Sequence, residues 1–88
     1  MTGIPAPRSE PQPPLSAADG LRAHSAALLD HARRLRAGAA ALDWKGPGAE
    51  AFRWRVQDLA DRCTAAAGGL ARCADQLDAA ARTRRTRR

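Results

Sequence analysis

Leucines recur every seven residues at Leu21, Leu28, Leu35 and Leu42, and a second run of apolar positions begins ten residues later. That second run, Phe52, Val56, Leu59, Cys63, Ala66, Leu70, Cys73, Leu77 and Ala80, advances in alternating steps of four and three. Alternating steps of this kind trace a helix face that stays against a neighbour over many turns. The two runs are separated by Trp44-Lys45-Gly46-Pro47-Gly48, whose glycines and proline break a helix. Two long amphipathic helices joined by a sharp turn fold back on each other. The fold class is therefore all-α, an antiparallel two-helix hairpin.

The pattern also fixes the organisation of the chain. Residues 1–15 hold five prolines and only Ile4 and Leu15 as sizeable aliphatic side chains. Such a stretch buries too little apolar surface to offset the entropy of ordering it, and it reads as a disordered tail. The hairpin itself spans residues 16–82: helix 16–43, turn 44–48, helix 49–82. Ser16 and Asp19 resemble a capping box with Asp in place of Glu. Pro47 suits the first turn of the second helix, and Gly46 suits the left-handed conformation that ends the first. Glu50 lies where a negative charge complements the helix dipole. Gly68 and Gly69 weaken the second helix locally, yet the stripe continues in phase beyond them.

With the leucines on one row of the first helix, a parallel row carries the small residues Ala18, Ser25, Ala32 and Ala39. In the second helix, Ala60, Ala67, Ala74 and Ala81 flank the stripe. A face this broad exceeds what one neighbouring helix covers, whereas a four-helix bundle uses it fully. A lone two-helix hairpin of this size would be marginal. The expectation is a hairpin that dimerises into a four-helix bundle. Its partner interface would comprise Leu21, Leu28, Leu35, Leu42, Phe52, Val56, Leu59, Leu70 and Leu77.

The net charge of +6 is local. Five arginines lie in residues 82–88, and the remainder holds ten Lys/Arg against nine Asp/Glu. The body is nearly neutral, which argues against a basic nucleic-acid-binding surface on it. Residues 83–88 read as a basic tail able to meet phosphates, with no motif for reading bases. No apolar run reaches the length of a membrane span or of the apolar core of a secretory signal. Synthesis is expected in the cytoplasm, and export would use a route without a cleaved signal. Cys63 and Cys73 lie ten residues apart on one helix, about 15 Å along its axis. A disulfide between them is excluded in an intact helix, so they read as buried reduced thiols, with a bridge to another chain as the alternative. His24 and His31 do not fall beside both cysteines in a hairpin, and no metal site, cofactor site or catalytic constellation is expected.

Trp44-Lys45-Gly46, followed by Ala49, Ala51 and Phe52 at the opening of the second helix, resembles the turn of the WXG family, the small ESAT-like proteins of bacterial type VII secretion. The likeness covers residues 16–82, and the Ala- and Arg-rich composition is similar to actinobacterial members. It implies a non-enzymatic helical hairpin, paired with itself or with a related hairpin, acting as an exported substrate or as the adaptor or partner of one. A secretion ATPase or a larger exported protein would be a further partner. Trp44 and Gly46 would form the turn motif, with Trp44 either closing the end of the hairpin or exposed for recognition. The chain has no tyrosine, and so lacks the Tyr-x-x-x-Asp/Glu export signal of that family. The signal then belongs to a partner, or the protein stays in the cytoplasm.

Trp54 lies opposite the stripe between Arg53 and Arg55, where it either meets a partner or is covered locally. The alternative function is a small nucleic-acid-associated or structural coiled-coil protein using the arginine-rich tail.

Overall fold

A computed structural model describes residues 16–87. They form two helices and no strand: α1, Ala17–Ala41, and α2, Pro47–Thr86. The expected tail over residues 1–15 lies outside the described residues, as does Arg88.

Each helix starts where its local chemistry allows. The Ser16 Oγ accepts from the Asp19 backbone N–H at 3.0 Å, and the Ser16 N–H donates to the Asp19 carboxylate at 3.4 Å. This reciprocal pair satisfies two backbone donors that the first turn leaves free. α1 is capped by Leu42, which is extended rather than left-handed and whose N–H donates to the Ala39 carbonyl at 3.3 Å. Gly46 is the N-cap of α2, not the terminator of α1. Its φ of 105° and ψ of 177° lie in a region essentially restricted to glycine. The Gly46 carbonyl accepts the Glu50 N–H at 3.0 Å, and Pro47 occupies the first turn, where a missing N–H is harmless.

α2 passes through Gly68 and Gly69 without interruption and continues to Thr86, beyond the expected end at residue 82. Most of the segment read as a basic tail is therefore helical. Arginine is a good helix former, and Arg84 and Arg85 in the last turn face the negative end of the dipole.

The contact between the helices is made of small residues. Ala18, Ser25 and Ala32 are buried on α1, and Ala49, Ala60, Ala67 and Ala74 on α2. Ala60 and Ala74 are fully inaccessible, and no large side chain among the described residues is fully buried. The row that flanked the stripe in the sequence is thus the inner seam of α2, and the stripe lies beside it. Small residues at seven-residue spacing let two backbones approach closely, and a leucine in their place would hold them apart. One polar bond spans this seam: the Ser25 Oγ donates to the Ala67 carbonyl at 2.8 Å. Buried in this way, the hydroxyl is satisfied and helps fix the register.

The register places polar pairs on one broad side of the hairpin. Arg22 donates to Asp75 at 2.9 Å and to Asp78 at 2.7 Å. Arg36 donates to Asp61 at 2.8 Å, and Gln57 meets the same carboxylate oxygen at 2.8 Å. All these groups are well exposed, so each pair adds little to stability and more to alignment.

Candidate protein-interaction face

In α1 each leucine of the heptad follows a small row residue by three positions: Leu21 after Ala18, Leu28 after Ser25, Leu35 after Ala32, Leu42 after Ala39. Three residues are about 60° short of a full turn, so every leucine lies to the same side of the seam. α2 repeats the relation with Phe52 after Ala49, Cys63 after Ala60, Leu70 after Ala67 and Leu77 after Ala74. The helices run antiparallel, so the same rotation about each axis brings both rows to one broad side of the hairpin. Val56 and Leu59 lie on that side as well. Residues four positions after the seam residues fall on the other side: Arg22, Arg36, Arg53, Thr64 and Asp78, with Leu29 and Ala71 as its apolar members. The hairpin thus has one aliphatic broad side and one polar broad side.

The aliphatic side is not covered by the hairpin itself. Leu21, Leu28, Leu35, Val56, Cys63 and Leu70 are half-buried. Leu42, Phe52, Leu59 and Leu77 are exposed, each at 40% or more. Cys63 and Cys73 are free thiols, the first half-buried and the second exposed, so the expectation of two buried thiols fails. The reason is the rotation of α2, which turns its alanines rather than its stripe toward α1. Leu29, which the heptad reading missed, is exposed on the polar side. His24 and His31 are both exposed. No group of three or more His, Cys, Asp or Glu side chains among the described residues is arranged to hold a metal ion. No helix among them is long and apolar enough to cross a membrane.

At the turn, Trp44 packs on its neighbours with one side open. It is half exposed, its ring lies 6.0 Å from that of Phe52 at a tilt of 48°, and its edge lies over Gly48. A tilted aromatic pair at this separation is favourable. Trp44 thereby carries the aliphatic side onto the end of the hairpin. Arg53 reaches back from α2 to the carbonyls of Leu42 (3.3 Å) and Trp44. It satisfies the carbonyl of the residue that caps α1 and one in the turn beyond it. Nothing in the sequence marked this role, because it depends on the path of the turn.

Trp54 is 73% exposed on the side away from the stripe. Glu50, Arg53 and Gln57 line a shallow hollow beside it. The structure therefore brings Leu21, Leu28, Leu35, Leu42, Phe52, Val56, Leu59, Leu70 and Leu77 together, joins Trp44 to their end and leaves Trp54 apart. Hydrogen bonds on the polar side shift the titration of two groups. The hydrogen bond from Arg36, and then that from Gln57, holds the Asp61 carboxyl below the ordinary carboxylate range. The bonds to Asp78 and then Asp75 raise the already high pKa of Arg22.

No family model matches this chain, and comparisons with characterised proteins and with solved structures gave no match.

Proposed function

We propose that this chain is a non-enzymatic interaction protein, a WXG-like hairpin of type VII secretion that pairs through its aliphatic side with a second hairpin, its own copy or a related one. In that role it is either an exported substrate or the adaptor of one. The observation that carries the reading is the division of labour between rows. The alanines are used up within the hairpin, while the leucines, Phe52 and Val56 stay part-exposed on one side. A contiguous apolar side rimmed by polar residues is an association surface in a protein of this size. Covering it with a second hairpin produces a four-helix bundle with large side chains at its centre. The Trp44-Lys45-Gly46 turn between two helices supports the secretion context, since Trp44 and Phe52 offer an aromatic anchor at the bundle end.

The test is co-expression with each small helical protein encoded beside this gene, followed by assay of export of the partner. Trp44→Ala is expected to leave helix content nearly unchanged and to reduce export. Unchanged export together with a large loss of helicity would reduce Trp44 to a structural plug and remove the recognition role.

A further inference from the structure

α2 outruns α1, and every charged residue on the part that projects is basic. Ser25 lies level with Ala67. Eight residues toward the start of α1 is Ala17, its first residue, level with Asp75 eight residues further along α2. Among the described residues, the last hydrogen bonds between the two helices toward this end are those of Arg22 with Asp75 and Asp78. Residues 79–86 then continue as helix with no α1 beside them. The hydroxyls of Thr83 and Thr86 bond the carbonyls of Ala79 and Thr83, and the Arg87 N–H bonds Thr83 at 3.1 Å. Residues 82–87 are all exposed.

This projection carries Arg82, Arg84, Arg85 and Arg87, and no acidic residue follows Asp78. None of the four arginines makes an ion pair among the described residues, whereas Arg22, Arg33, Arg34, Arg36 and Arg62 all do. At about 100° per residue, Arg84, Arg85 and Arg87 lie roughly 200°, 300° and 140° around the axis from Arg82. The charges therefore surround the helix rather than line one side. Arg82 and Arg85, and Arg84 and Arg87, are spaced three apart, where like charges oppose the helix. An anionic partner relieves that repulsion.

We propose that the projecting end of α2 binds double-stranded DNA through its phosphate backbone. The ring of charge selects this partner. A flat anionic membrane or an acidic protein surface meets one side of a helix and leaves the opposite arginines unpaired. The projection also has only alanines as apolar residues, which give it nothing to insert into lipid. A groove with phosphates on both walls meets arginines on several sides at once. The major groove of B-form DNA is about 12 Å wide and admits an α-helix, whereas the A-form groove of RNA is too narrow. Residues 79–86 span about 12 Å at 1.5 Å per residue.

The experiment titrates the full chain into a short random-sequence DNA duplex and into vesicles of phosphatidylserine and phosphatidylcholine, at several salt concentrations. Four phosphate contacts give a slope of log affinity against log salt of about −3.6, or roughly a hundredfold loss between about 50 and 200 mM. Replacing Arg82, Arg84, Arg85 and Arg87 together by Gln is expected to abolish binding. Replacing them by Lys is expected to retain most of it. The rows that join α1 to α2 are untouched in both variants, and circular dichroism checks that the hairpin is intact. Duplex should also raise the helix signal of the wild type and leave that of the Gln variant unchanged. Equal binding by the Gln variant, no binding of duplex by the wild type at low salt, or tighter binding to the vesicles than to DNA would each overturn the proposal.

Discussion

Ala67→Leu tests the seam directly. Ala67 is 1% exposed, faces α1, and its carbonyl receives the Ser25 hydroxyl. A leucine there adds three carbons where the two backbones are closest. The helices must separate or the side chain must leave its rotamer, and overpacking of this kind typically costs about 1–3 kcal/mol. Separation also breaks the Ser25 bond and strands a buried hydroxyl, so the upper part of that range is expected, about 2–3 kcal/mol. For a domain of this size each kcal/mol shifts the thermal midpoint by about 4–8 °C. The variant should therefore melt roughly 8–24 °C below the wild type, followed by far-UV circular dichroism at matched protein concentration. Ala66→Leu is the control. Ala66 is exposed and adjoins the aliphatic side, so the same added volume there should be neutral or stabilising. If Ala67→Leu melted like the wild type while Ala66→Leu was destabilised, the alanine row would not be the seam.

Two further perturbations address the turn and the polar side. Gly46→Ala meets no steric obstacle, since nothing lies within 4 Å of an added methyl, so its effect isolates the backbone. A φ of 105° outside the reach of alanine should cost about 1–3 kcal/mol, and an unchanged thermal midpoint would show that the turn relaxes without strain. Asp61 has a folded-state pKa below its ordinary 3.8, so its contribution is complete above that value and is lost as pH falls through the lowered pKa. The stability difference between wild type and Asp61→Asn should therefore hold constant from neutral pH down to about 4 and shrink below it. A difference that stays constant as pH falls through and below 4 would mean that Arg36 does not hold the carboxylate in solution.

Much of the fold is legible in the sequence because its signals are local. Ser16 with Asp19, Pro47 and the seven-residue leucine spacing each act within a turn or two of helix. They mark two helices and a hairpin without reference to tertiary packing. The rotation of α2 is not local. Ala60, Ala67 and Ala74 and the stripe beside them have the same period, so periodicity does not say which row faces α1. Packing decides it: the small rows of both helices come together, and the Ser25 hydroxyl finds the Ala67 carbonyl only in that arrangement. The exposure of Cys73 follows from the same rotation. The cap that Arg53 places on the end of α1 depends on the path of the turn through space. The helix through residues 83–86 reflects a balance between arginine's helix propensity and like-charge repulsion, and composition alone suggested a tail.

Sedimentation equilibrium combined with thermal melting over a range of protein concentrations tests the central claim most directly. One hairpin buries alanines and leaves its leucines uncovered, so the helical signal should reside in a species heavier than the 9.4 kDa chain, with a melting midpoint that rises with concentration. Leu70→Asp, which places a charge in the middle of the aliphatic side, should abolish that species and most of the helicity. A 9.4 kDa monomer, fully helical at micromolar concentration and melting at a concentration-independent midpoint, would contradict the account.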